Sequence, residues 1–194
     1  MISIEELLYG RTKCYLIDGK LLIDTDWAGT LHAFYKCLHE KNIKISHIQY
    51  LMVTHFHPDH MGLVSQLMDA GMQFIIFDVQ EPYVHVSDAV FVKQHHVFFQ
   101  PIDAQKALHL CCKDSRAFLK SIGIEGEVIS TPAHSQDSIS LILDGGAAFV
   151  GDLYPYEMEE SMQDPVFSES WHLIKAHHAR QIYYAHWPIE ELHG

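Results

Sequence analysis

The sequence predicts an α+β fold in which sheets are covered on their outer faces by helices, and three observations predict it. Apolar runs of strand length alternate with stretches of helical period. Two hairpin turns are spelled out, at Asp18-Gly19 and at Asp144-Gly145-Gly146. Hydrophobic residues make up 48% of a 194-residue chain, enough to bury a substantial core and about the size of a single domain spanning residues 1-194.

The elements run in order. Thr12 to Ile17 and Leu21 to Asp24 flank the first turn and read as antiparallel strands. From Ala28 to Lys41, the residues Leu31, Phe34, Tyr35 and Leu38 fall at i, i+3, i+4 and i+7 and so share one face of a helix. Ile48 to Val53 is a largely apolar run whose length suits a buried strand. After polar residues Thr54 to His60 comes a helix that turns Val64, Leu67 and Met68 inward and stops at Gly71, followed by a strand at Phe74 to Phe77. The segment 79-101 is irregular, and we read it as a long loop or lid with short helical turns; His95 and His96 belong to its solvated part. Ala104 to Ile122 reads as a helix ending at Gly123, and Val128 to Ser130 as a strand. Ser138 to Leu143 and Ala147 to Val150 flank the second turn. Ser168 to His178 reads as a helix and Ile182 to Ala185 as a strand, and Pro188 breaks any regular structure after it.

Charge and composition restrict the partners. Lys plus Arg is 13 against 25 for Asp plus Glu, a formal charge of −12 that repels phosphate backbones, so nucleic acid is not an expected partner. Cys14, Cys37, Cys111 and Cys112 form no C-x-x-C pair and read as reduced thiols. Neither an export signal nor a run of the ~18 apolar residues a membrane span needs is evident, so the sequence predicts a cytoplasmic protein with no membrane partner. Histidine is the outlier: its 16 copies exceed all the lysines and arginines together, and imidazole is both the commonest metal ligand and the usual acid or base near neutral pH.

Those histidines concentrate at His55-Phe56-His57-Pro58-Asp59-His60, just after a buried strand. With this composition H-x-H-x-D-H arises by chance roughly 0.007 times in such a chain. In an extended segment His55 and His57 point the same way, while Asp59 and His60, where the chain enters a helix, can turn toward a second point a few ångström off. Neutral imidazole nitrogen and carboxylate oxygen together suit Zn2+, Fe or Mn.

This motif resembles that of the metallo-beta-lactamase superfamily, and further segments resemble it in the expected order: Thr131-Pro132-Ala133-His134, the pair Gly151-Asp152, His186 after a strand, and the early Leu22-Ile23-Asp24-Thr25. The resemblance runs from Thr12 to Trp187. It implies a four-layer αββα sandwich with a dinuclear metal site at one edge of the sheets. It further implies that His55, His57 and His134 bind one metal, that Asp59, His60 and His186 bind the second, and that Asp152 bridges them. Two divalent ions, Zn first and Fe or Mn next, would hold a shared water as hydroxide and polarise the substrate. Asp59 would orient that nucleophile and shuttle its proton. Asp24 is the expected outer partner of a ligand imidazole, fixing its tautomer, with an ordinary strand-end turn residue as the competing role. Ala133, Ala185 and Asp26 replace glycines of the family pattern, so a positive φ there would strain them; Asp26 could also add a carboxylate at the pocket rim. Tyr154, Tyr156 and Trp187 follow ligand positions and either line a pocket or pack at strand ends.

The resemblance implies a metallo-hydrolase acting on a small ester, lactone, thioester, amide or phosphoester. The basic surface of the nuclease relatives is missing from the composition. A di-iron oxygen-binding or redox protein of the same fold is the alternative, since the ligand types also suit iron.

Overall fold

The computed structural model describes residues 2–94 and 98–192, so His95 and His96 lie outside the described residues. The chain divides into two compact units, residues 1–77 with 81–109, and residues 78–80 with 110–194.

The first unit is built on a six-stranded sheet in the spatial order β1 to β6: Ile4–Leu8, Lys13–Ile17, Leu21–Ile23, Tyr50–Met52, Gln73–Phe77 and Leu108–Leu110. β1, β2 and β3 pair antiparallel, and β3, β4 and β5 run parallel. The β2–β3 turn takes Asp18 and Gly19 at φ 50° and 67°, the double left-handed conformation a tight hairpin demands. Parallel neighbours need crossovers. These are helix α1 (Leu31–Glu40) between β3 and β4, and helices α2 (Pro58–Met61) and α3 (Val64–Asp69) between β4 and β5. Phe34 and Leu38 of α1 and Val64 and Leu67 of α3 enter one core with Leu16, Leu22, Leu51, Phe56 and Phe74. The short helical turns of the 79–101 segment are a 3-10 helix at Asp78–Tyr83 and helix α4 at Asp88–Lys93, whose Phe91 is fully buried and stacks on Phe99 at 3.9 Å between ring centroids.

The second unit is built on a five-stranded sheet with β7 (Gly126–Ser130), β8 (Ile139–Leu143), β9 (Ala147–Gly151), β10 (Gln181–Tyr184) and β11 (Glu190–Glu191) in the order β11-β10-β9-β8-β7. β7, β8 and β9 form an antiparallel meander. Helix α5 (Ser115–Ser121) precedes it, and β10 joins parallel to β9 through helices α6 (Glu159–Met162) and α7 (Pro165–Ala176). Helix α7 begins three residues before the expected Ser168: Asp164 accepts the Val166 amide at 2.9 Å and Pro165 takes the first turn, where a missing N–H costs nothing. Phe167, Trp171 and Ile174 on its inner face pack with Val150, Ile182 and Tyr184.

One expected element is wrong in kind. Ala104 to Ile122 is not one helix: a 3-10 turn (Ala104–Lys106), strand β6, a second 3-10 turn (Cys112–Asp114) and helix α5 take its place. Leucine, alanine and lysine give that stretch high helix propensity, but Leu108 and Leu110 alternate about exposed His109 and fill the edge of the sheet beside β5. Tertiary pairing outweighs a local preference of a few tenths of a kcal/mol per residue, ~0.7 at most.

Candidate metal centre

In the first unit the donors come directly after β4. The chain stays extended through His57, whose ψ is 153°, and Pro58 opens α2. Alternation then sends fully buried Phe56 into the core and leaves His55 and His57 on the other side, their ring centroids 4.4 Å apart. The α2 turn brings His60 back beneath them, 4.1 Å from the His55 ring. His60 Nε2 faces Asp59 Oδ2 at 3.9 Å, and Asp59 is the more exposed of that pair. Within this unit the chain thus brings His55, His57, Asp59 and His60 close together.

Behind the rings stands Asp24. Its φ of 61° lies in the left-handed region, which aspartate tolerates better than most residues, and this turns the carboxylate toward the motif. Asp24 Oδ1 accepts the Thr54 amide at 2.6 Å, and Oδ2 accepts from His60 Nδ1 at 3.0 Å. A donor on Nδ1 leaves the lone pair of His60 on Nε2. Asp24 thus holds the His60 imidazole by its Nδ1. Thr25 fastens the same turn: its amide and hydroxyl both donate to the His60 carbonyl, at 2.9 and 3.0 Å, and its hydroxyl accepts the Leu63 amide at 3.2 Å.

Asp26 is not a rim carboxylate. It is 1% exposed, and its side chain points back into the loop before β2, accepting the amides of Arg11, Thr12 and Trp27 at 2.5, 3.1 and 2.6 Å. Gly10 is required beside it, since a Cβ there would lie 1.8 Å from Asp26 Oδ2. None of Ala133, Ala185 and Asp26 adopts a positive φ, so the glycine-to-larger replacements carry no backbone strain.

In the second unit His134, Asp152 and His186 come from three strand ends. Gly151, at φ 59°, closes β9 and accepts the Ala185 amide at 2.9 Å, which sets the end of β10 beside Asp152. Asp152 Oδ2 faces His134 Nε2 at 3.7 Å and Oδ1 faces His186 Nε2 at 3.4 Å. One carboxylate thus presents each oxygen to a different imidazole, at separations longer than a normal N–H···O hydrogen bond of ~2.9 Å. The Tyr154 ring stands 6.4 Å from that of His134, edge to face, and its carbonyl accepts the Trp171 indole N–H at 3.1 Å. Tyr156 packs on α7, edge-on to Trp171 and under the Lys175 ammonium, 4.1 Å from its ring centre. Trp187 is 40% exposed.

Unprotonated imidazoles and carboxylates are the donor types that divalent Zn, Fe and Mn accept, and both units supply them in groups, so the residues fit such ions. The cysteines do not contribute. All four are free thiols, and burial with Asp78 alongside pushes the Cys112 thiol up to about 12, the opposite of a reactive thiolate.

The model of the metallo-beta-lactamase superfamily matches residues 9–172. The chain belongs to this superfamily. A protein of Bacillus subtilis (strain 168) named "Probable metallo-hydrolase YqjP" is 30% identical over a 170-residue alignment that covers 74% of this chain and 53% of the relative. The chain therefore spans about half the length of that curated relative. Among solved structures, a metallo-beta-lactamase family protein from Thermus thermophilus matches with a TM-score of 0.65 at 18% identity, over 98% of this chain and 74% of the other. The chemotaxis sensor ODP, solved as a peroxy diiron species, matches at 0.60 and 15% identity, over 97% and 84%. The metallo-beta-lactamase fold predicted from the sequence is the fold observed. Sequence reading missed Thr54: a hydroxyl immediately before the first histidine is the signal that could have marked it.

Proposed function

We propose that this superfamily member is a dinuclear metal-dependent hydrolase of a small molecule, with His55, His57 and His134 on one ion, Asp59, His60 and His186 on the other, and Asp152 bridging. The observation that carries the reading is the donor arrangement within each unit: paired imidazoles backed by Asp24 in one, and in the other a carboxylate offering one oxygen to each of two histidines. Zn is the first choice of ion, with Fe or Mn next. Such a pair supplies an acidified water and polarises a carbonyl or phosphoryl oxygen. The chain's residues do the rest. Asp24 keeps the His60 proton on Nδ1. Asp59, whose side chain is 23% exposed, takes the proton of the attacking water on a carboxylate oxygen and passes it to the leaving atom. Tyr154, exposed beside His134, lies where it can meet substrate. The formal charge of −12 argues against a nucleic-acid substrate, and among the described residues no helix is long and apolar enough to cross a membrane.

Elemental analysis of protein purified without added metal, followed by an ester, lactone, thioester, amide and phosphodiester panel, tests this. Two ions per chain with turnover of one bond class is the expected result. Asp59→Asn should lower turnover at least ~100-fold, the size of a lost general base, and weaken retention of the second ion, for which Asp59 is a proposed ligand. The di-iron alternative draws on the sensor structure, a likeness of fold alone. Bound iron, a dioxygen-sensitive visible spectrum and no hydrolysis would replace the hydrolase reading with it.

A further inference from the structure

We propose that Thr54 is a positioning residue: its hydroxyl relays the Asp24 carboxylate to His55 and fixes that ring with its proton on Nδ1 and its lone pair on Nε2. Counting protons leads there. Thr54 Oγ1 lies 2.9 and 3.1 Å from the two Asp24 oxygens and 3.1 Å from His55 Nδ1. A hydroxyl carries one proton, and a carboxylate can only accept. The hydroxyl proton therefore goes to Asp24, and toward His55 the oxygen can only accept. His55 Nδ1 must then be the donor, which leaves Nε2 as the basic nitrogen. His60 reaches the same tautomer through a direct Nδ1 contact with Asp24 Oδ2 at 3.0 Å; its 3.4 Å approach to Thr54 Oγ1 is the longer of the two.

All four groups are buried: Asp24 and Thr54 are 2% exposed, His55 1% and His60 0%. Water therefore does not compete freely for these protons, and each misplaced one would leave an acceptor facing an acceptor. Two imidazoles assigned to different ions under the proposed function thus take their tautomers from one carboxylate, one directly and one through a hydroxyl. A single side chain at position 54 decides whether His55 enters the metal site ready to bind.

The proton assignment is tested on the unaltered 194-residue chain by long-range proton–nitrogen NMR of its histidines, with His55→Gln identifying the signals. After chelator treatment His55 should show the Nδ1–H pattern; an Nε2–H pattern overturns the proposal. The metal consequence, which rests on the proposed function, is read by zinc titration against a chromophoric chelator. Thr54→Val, near in shape but without the hydroxyl, should weaken zinc binding roughly 10- to 100-fold, and Thr54→Ser should restore it. A Thr54→Val protein that binds zinc like the parent overturns the relay. A parent chain that takes up no zinc overturns the metal reading alone, and the NMR tautomer then decides the relay by itself.

Discussion

Asp24 and Asp26 stand two residues apart and act in opposite directions. The left-handed φ of Asp24 sends its carboxylate toward the histidines, while Asp26 turns back and closes the loop before β2 on three amides. The sequence resemblance already gave Asp24 the place behind a ligand imidazole, but it left Asp26 open between the pocket rim and a structural role, because its direction depends on a backbone dihedral and a partner loop that no local pattern encodes. The H-x-H-x-D-H spacing, by contrast, was legible, since strand alternation and a proline at the helix start dictate where its side chains go. Asp26→Ala would leave three backbone amides with no carboxylate and should cost about 2–4 kcal/mol in urea unfolding. Gly10→Ala should cost about as much by driving a methyl group into the same carboxylate, while zinc stoichiometry stays unchanged in both. A loss of bound metal at unchanged stability would instead return Asp26 to the site.

At the level of elements, the strands that frame the histidines were readable and the 104–122 stretch was not. β4 and β9 announce themselves as apolar runs closed by polar residues. β6 has only three residues inside a helix-forming sequence, and its identity comes from the sheet edge it joins. Side chains at its borders then fix the breaks. Ser115 opens α5 by donating to the Cys112 carbonyl at 2.6 Å and accepting the Val128 amide of β7 at 2.9 Å, so Ser115→Ala should cost about 1–3 kcal/mol by urea unfolding. His109 fastens β6: Nε2 meets the Ala104 carbonyl at 2.9 Å and Nδ1 meets Glu81 at 3.0 Å. Two acceptors on one ring favour the imidazolium and raise its pKa above the ordinary 6.5. Its contribution is then fully present below the unfolded value and is lost as pH rises through the higher folded one. Amide exchange of 104–110 should accelerate across that window in the parent chain and be pH-flat, after correction for intrinsic rates, in His109→Gln. Equal pH profiles would show that the clamp carries no proton-linked stability.

For the molecule as a whole, the charge of −12 creates a rival explanation for any metal effect, because an acidic chain gains something from every added cation. The two contributions differ in how they saturate and in what they require. Screening of exposed carboxylates follows ionic strength and is weak over a Debye length of ~8–10 Å. Site binding follows concentration relative to Kd and amounts to about 2.7 kcal/mol at 100 times Kd. For a chain of this length that converts to a rise in thermal midpoint of roughly 5–10 °C. Zinc should produce this rise at micromolar excess, magnesium at equal ionic strength should not, and a chelator should reverse it. His134→Ala discriminates further, since it deletes one proposed ligand and no carboxylate: the response to salt should survive and the zinc-specific shift should shrink. If zinc and magnesium shift the midpoint equally, or if His134→Ala responds to zinc like the parent, His55, His57, His60, His134 and His186, five of the 16 histidines, lose their common explanation.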